Sequence, residues 1–200
     1  MINDIAKRTI DIGVSLVGLA TLSPLLLLTA IAVKLTSTGP VLFRQERIGR
    51  DFRPFKILKF RTMVQDAPSL GRAITVGADP RITFAGKWLR LTKIDELPQL
   101  LNVLKGDMSL VGPRPEVRRY VELFADDYAD VLSVRPGITD LASIQFRHES
   151  ELLGKAADPD AEYCQNILPE KIRLAKEYVQ RSSIGFDLLI ILRTLAALFR

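Results

Sequence analysis

The feature that most constrains this chain is the run from Ile12 to Val33, IGVSLVGLATLSPLLLLTAIAV, 22 residues without a charge. As a helix it is long enough to cross the hydrocarbon of a bilayer. Ser23 and Pro24 sit at its middle, and a proline there removes a backbone hydrogen bond and crowds the preceding turn, which predicts a kink or a break. Lys7 and Arg8 precede the run, while Lys34, Arg44, Arg47, Arg50, Arg53, Lys56, Lys59 and Arg61 follow it, so both flanks carry the cytoplasmic signature. A re-entrant helix-break-helix meets that constraint, with the Ser23 hydroxyl as one partner for backbone groups freed at the break. Length alone favours an ordinary single span. Ala30-Ile31-Ala32 mimics a signal-peptide cleavage site, but the apolar run exceeds a usual h-region and basic charge follows at once.

A second stretch, Lys93 to Glu116 (KIDELPQLLNVLKGDMSLVGPRPE), carries the chemistry. Leu97, Leu100, Leu101 and Leu104 recur on one helix face, Asp95 or its neighbour caps the start and Gly106 stands at the C′ position, predicting a helix of roughly three turns. Pro98 fits its first turn. Adjacent carboxylates at a helix start are routinely explained by capping and the macrodipole. The sharper reading is that Asp95 and Glu96 face a cation and a phosphorylated substrate, with Mg²⁺ as the suitable metal. Arg114, fixed between Pro113 and Pro115, has the mounting of a preorganised phosphate clamp.

Around these stretches, Val41 to Met63 predicts a basic β-hairpin with Gly49-Arg50-Asp51 in the turn; its charge also suits a solvated edge. Gln65 to Thr83 reads as a loop, long enough for a lid. Short helices follow over Phe84 to Leu91, Glu116 to Phe124 and Asp126 to Val134. A longer one covers Asp160 to Arg181, and an apolar helix covers Asp187 to Arg200, suited to a core or a membrane interface. With 28 Lys and Arg against 23 Asp and Glu, the net charge is +5, which points to an anionic partner. Cys164 and His148 are the only residues of their kinds, which excludes an intrachain disulfide, a thiolate cluster and a multi-histidine metal site. The length of 200 residues suits one domain.

Five motifs occur in order: Lys59 to Met63 (KFRTM), Asp95 to Gln99 (DELPQ), Asn102 to Ser109 (NVLKGDMS), Val111 to Pro115 (VGPRP) and Arg135 to Thr139 (RPGIT). Together they closely resemble the bacterial sugar transferases, the monotopic phosphoglycosyl transferases of the small single-domain type, from about Lys7 onward. The resemblance implies an α+β, mainly helical fold with a re-entrant membrane helix broken at Ser23 and Pro24 over about 1–36. A catalytic part over about 37–200 would hold the small basic hairpin and interfacial amphipathic helices and face the cytoplasm at the bacterial inner membrane. It implies transfer of a phosphosugar from a nucleoside diphosphate sugar, usually a UDP sugar, to polyprenol phosphate, as in glycoconjugate or exopolysaccharide assembly. Asp95 would be the nucleophile, Glu96 would help hold Mg²⁺ or position the acceptor, and Lys59, Arg90, Arg114 and Arg147 would contact phosphate or substrate. Asp140 to Arg147 (DLASIQFR) departs from one common family form, GLAQVNGR, which affects the carried-over nucleotide contacts and suggests a different sugar.

A membrane-bound adaptor, with its basic hairpin on anionic lipid or a partner protein and its carboxylates merely capping, is the alternative that composition allows. Nothing gathers the positive charge into a nucleic-acid motif, so no nucleic-acid partner is expected. Neither the sugar nor the oligomeric state is written in a motif.

Overall fold

The computed structural model describes residues 2–67, 70 and 74–198; part of the predicted loop and the end of the last predicted helix lie outside them. The apolar run lies within one long helix, α1 (Ile2–Thr36), which passes Ser23 and Pro24 without interruption. The predicted break is absent, and the local hydrogen bonding shows what takes its place. Pro24 has no N–H to offer the Ala20 carbonyl, and the Ser23 hydroxyl donates to that carbonyl instead at 2.8 Å. Among the described residues α1 is the one helix long and apolar enough to cross a membrane.

α1 is fastened to the rest of the chain near both ends. Lys7 Nζ donates to the Val111 carbonyl at 3.0 Å and pairs with Asp187 at 2.5 Å. Arg8 donates to the carbonyls of Val103 and Leu104, at 2.7 and 3.0 Å, serving C-terminal helix groups that have no partner inside their own helix. Near the other end Val33 is buried with Phe60 and Leu89, and Lys34 Nζ reaches the Gly39 carbonyl at 3.3 Å.

The basic hairpin forms as expected. β1 (Leu42–Ile48) pairs antiparallel with β2 (Pro54–Phe60), Leu42 opposite Phe60 and Ile48 opposite Pro54. The turn places Asp51 and Phe52 at positive φ. α2 (Phe84–Thr92) follows the loop, its N-terminus capped by the Thr83 hydroxyl accepting from the Gly86 N–H.

The next segment corrects the sequence reading. Lys93 takes a left-handed conformation (φ 59°) and ends α2; Ile94–Glu96 then form a single 3₁₀ turn, and α3 begins only at Gln99 (Gln99–Lys105). Neither carboxylate caps a helix, because Lys93 turns the chain and Pro98 occupies the capping position. Gly106 closes α3 at φ 93°, as its position required.

β3 (Ser109–Val111) and β4 (Gly137–Thr139) form a short parallel pair. A Cβ on Gly137 would lie 2.1 Å from the Gly112 nitrogen, so only glycine permits this approach. Between them lie α4 (Arg118–Leu123) and α5 (Ala125–Val131). After them come α6 (Leu141–Gln145), α7 (Glu149–Lys155) and α8 (Pro159–Glu162). A π-helical turn (Tyr163–Ile167) leads into α9 (Leu168–Arg181), and α10 (Ile184–Leu198) follows. The single helix predicted over Asp160 to Arg181 is thus interrupted by wider winding at Tyr163. The largest core joins Tyr120, Tyr128, Val131, Leu153, Leu168 and Ile172. Phe84, Trp88 and Leu91 on α2 and Leu188, Leu192 and Leu195 on α10 remain exposed, each set at helical spacing on one face.

Candidate active site

The 3₁₀ turn delivers Asp95 and Glu96 side by side into the interior; both are buried. Opposite them stands β2, held against α3 by one side chain. Asn102 accepts the Leu58 N–H at 3.0 Å and donates to the Lys56 carbonyl at 2.8 Å, which sets the strand's height relative to the carboxylates. Lys59 then places its Nζ 2.8 Å from Glu96 Oε1. From the third side Arg114 donates to Glu96 through both terminal nitrogens, at 2.6 Å to Oε1 and 3.3 Å to Oε2. Three segments distant in sequence therefore converge on one carboxylate.

Asp140 fixes the Arg114 backbone. Buried at the start of α6, it accepts the Arg114 N–H on one oxygen (3.0 Å) and the Ser143 N–H on the other (2.7 Å). The sequence marked this position as a departure from the family form, but its role depends on a partner 26 residues away and has no local signal.

The two carboxyls have opposite electrostatics. Burial pushes Glu96 up, but Arg114 and then Lys59 more than reverse this, and it lies well below the ordinary carboxylate range. Asp95 is held above the ordinary value, chiefly by burial and then by the adjacent Glu96 charge. Its Oδ1 is buried with no hydrogen-bond partner among the described residues. Of the pair, Glu96 is thus held as an anion by its two cations, while burial disfavours the charged form of Asp95. The capping and macrodipole explanation of the pair does not apply, since no α-helix starts there. Burial pulls the Lys59 ammonium below its usual value, against the pull of Glu96, while Glu96 raises Arg114 further.

Asp95, Glu96, Lys59, Arg114, Arg90 and Arg147 all line one cleft of about 2060 Å³. Arg90 donates to the hydroxyls of Thr62 (2.9 Å) and Thr75 (3.0 Å), tying α2 to the long loop. Arg147 lines the wall without joining the Glu96 cluster. Ser23 and Pro24 are exposed on α1 and do not line the cleft.

Among the described residues no group of three or more His, Cys, Asp or Glu is placed to hold a metal. The fit to Mg²⁺ is therefore through Asp95, whose unpartnered oxygen suits a hard cation that takes one or two carboxylates and fills its remaining positions from phosphate and water. Glu96 fits less well, because Lys59 and Arg114 already occupy its oxygens.

Two substitutions separate these roles. Glu96→Gln leaves Lys59 and Arg114 facing each other without their shared anion, and is expected to cost about 3–5 kcal/mol of stability. Asp95→Asn should leave stability unchanged or raise it at neutral pH. Because the fold raises the Asp95 pKa, its favourable contribution is complete below the unfolded-state pKa and is lost as pH rises through the folded one. The stability gap between Asp95→Asn and the parent chain should therefore open with rising pH, measured by thermal unfolding in detergent. A gap that opens on acidification would show that Asp95, too, is held by a favourable ion pair.

A family model described as bacterial sugar transferase matches residues 2–200. The chain is 41% identical over 201 residues to a UDP-glucose:undecaprenyl-phosphate glucose-1-phosphate transferase of Caulobacter vibrioides, covering 98% of this chain and 70% of the relative. It is 40% identical over 194 residues to a UDP-N-acetylgalactosamine-undecaprenyl-phosphate N-acetylgalactosaminephosphotransferase of Aeromonas hydrophila, covering 94% of this chain but 42% of that protein. An exopolysaccharide production protein of Rhizobium leguminosarum is 40% identical over 204 residues, which covers 96% of this chain and 94% of the relative. The chain thus spans less than half the length of one of these relatives, about two thirds of another and nearly all of the third. With the ordered motifs, the clustered site and a match over nearly its full length, the chain belongs to the bacterial sugar transferase family.

Proposed function

We propose that this chain transfers a phosphosugar from a UDP sugar to a polyprenol phosphate through a covalent intermediate on Asp95. The observation that carries this reading is the division of labour between the two buried carboxyls. Glu96 is neutralised by Lys59 and Arg114, while Asp95 beside it keeps an oxygen with no partner, and an unpartnered, desolvated carboxylate is a strong nucleophile. In the first step an Asp95 oxygen attacks the phosphorus that bears the sugar. The bond from that phosphorus to the bridging oxygen breaks, and UMP leaves with the electron pair. In the second step an oxygen of the polyprenol phosphate attacks the same phosphorus and the Asp95 carboxylate is released, leaving polyprenol diphosphate sugar.

Arg114 suits the stabilisation of charge on the transferring phosphate, because Glu96 and Asp140 hold it in place before substrate arrives. Asp95 is the residue that would help hold Mg²⁺, and the ion would supply further neutralisation of charge on the transferring phosphate. An adaptor built on the same hairpin has no use for a buried carboxylate left without a partner, and the relatives named for transferase activity favour the enzyme.

The contacts of α1 support a particular membrane arrangement. Lys7 and Val33 both rest on the same body, which supports an apolar stretch whose two ends stay on one side of the bilayer. α1, with the exposed apolar faces of α2 and α10, supports a monotopic attachment from the cytoplasmic side of the inner membrane. Single cysteines introduced at Asp4 and Thr38, in a Cys164→Ser background, should both resist an impermeant thiol reagent added outside spheroplasts. Labelling of either one from outside would overturn the arrangement.

For the chemistry, purified protein in detergent with Mg²⁺, UDP-glucose or UDP-N-acetylgalactosamine, and undecaprenyl phosphate should release UMP with ping-pong kinetics. EDTA should stop it. Kinetics that require both substrates bound before any UMP appears would exclude the two-step route.

A further inference from the structure

The cleft continues beyond Arg114. Two residues along the chain, Glu116 enters the same space and is nearly fully buried. Its Oε1 accepts from the Tyr163 hydroxyl at 2.8 Å and its Oε2 from Arg47 at 3.3 Å. Lys171 Nζ donates to the Tyr163 hydroxyl at 3.3 Å and pairs with Glu149 at 2.5 Å. Tyr163 opens the π-helical turn, a rare form of winding that recurs at functional sites.

Three polar atoms along this arm are buried with no hydrogen-bond partner among the described residues: Arg47 Nε, the Tyr120 hydroxyl and Ser143 Oγ. All three residues line the cleft. Buried polar groups are nearly always paired, and each one left bare carries a desolvation cost, so three among the residues lining one cleft point to a ligand that completes them.

The chemistry of the wall narrows what that ligand is. Arg47 and Lys171 are balanced by Glu116 and Glu149, so the arm offers no excess positive charge to a phosphate. The rings of Tyr120 and Tyr163 pack on each other, centroids 4.9 Å apart, and each is only 2% exposed, so no aromatic face is open for a base to stack on. What remains is a charge-balanced set of side chains with the Arg47 Nε, the Tyr120 hydroxyl and Ser143 Oγ left to pair, which suits a ring bearing several hydroxyls. We propose that this arm, formed by Arg47, Glu116, Tyr120, Ser143, Tyr163 and Lys171, is the subsite for the hexose of the donor and sets which sugar is used. The proposal rests on the reading of the cleft as a site for a nucleoside diphosphate sugar.

Tyr120→Phe and Ser143→Ala test it with little risk to folding, since each deletes an atom that has no hydrogen-bond partner among the described residues. The measurement is UMP release with undecaprenyl phosphate and a panel of UDP-glucose, UDP-galactose and their N-acetyl counterparts, together with inhibition by UMP and the unfolding temperature. The expected result is a KM for the preferred donor raised about three- to tenfold, a changed ranking among the four sugars, unchanged inhibition by UMP and an unfolding temperature that does not fall. Unchanged KM and ranking in both variants would overturn the subsite while leaving the transferase standing. Weakened inhibition by UMP would also overturn it, by placing the nucleotide in this arm. Absence of UMP release by the parent chain from all four donors would instead remove the transferase reading, and the subsite with it.

Discussion

The interaction on which the rest of this structure depends is the burial of Glu96 between Lys59 and Arg114. A lone carboxylate in that position would be strongly penalised, and either cation alone would be penalised in turn. Together they bind three otherwise separate pieces of chain: the second strand of the hairpin, the turn before α3 and the segment after β3. Such a cluster is a weak source of net stability but a strong source of geometry, because each charge has one acceptable place. By taking up both cations, Glu96 leaves Asp95 in the same buried environment without a counterion of its own. The reactivity assigned to Asp95 is therefore a consequence of what its neighbour already holds.

The same logic extends outward. Asn102 fixes the strand that carries Lys59, Asp140 fixes the backbone that carries Arg114, and Arg8 of α1 fastens the far end of α3. The membrane helix is thus coupled to the site through the helix that follows the two carboxylates. On the proposed reading a lipid-bound acceptor and a water-soluble donor would meet at Asp95, and a helix that lies along the body near both of its ends would keep that residue close to the bilayer surface.

Much of this was legible in the sequence. The uncharged run, the alternating basic hairpin and the glycine ending α3 each announce themselves within a short window, through periodicity or a required backbone conformation. The motifs marked Asp95, Glu96, Lys59 and Arg114 as a set. What could not be read locally was how the set is divided: which carboxylate is neutralised depends on contacts spanning 37 and 18 residues. The helix start at Asp95 was misjudged because the leucine spacing continues back to Leu97, while the left-handed turn at Lys93 has no glycine to announce it. The break at Ser23 and Pro24 was expected from the proline, the basic flanks and the family resemblance. The hydroxyl of Ser23 repairs the missing bond within the same turn, and the helix continues. The parallel pair β3 and β4 is too short to show alternation, and the network around Tyr163 joins elements from β1 to α9, so neither left a pattern to find.

The measurement that tests the division between the two carboxyls most directly is peptide mapping of the protein after brief incubation with Mg²⁺ and a UDP sugar, without acceptor. The expected result is a mass increase of one phosphosugar on the peptide containing residue 95, with fragmentation placing it on Asp95, absent in Asp95→Asn and chased by undecaprenyl phosphate. An adduct located on Glu96, or one that persists in Asp95→Asn, would contradict the assignment of Asp95 as the free nucleophile and Glu96 as its neutralised neighbour.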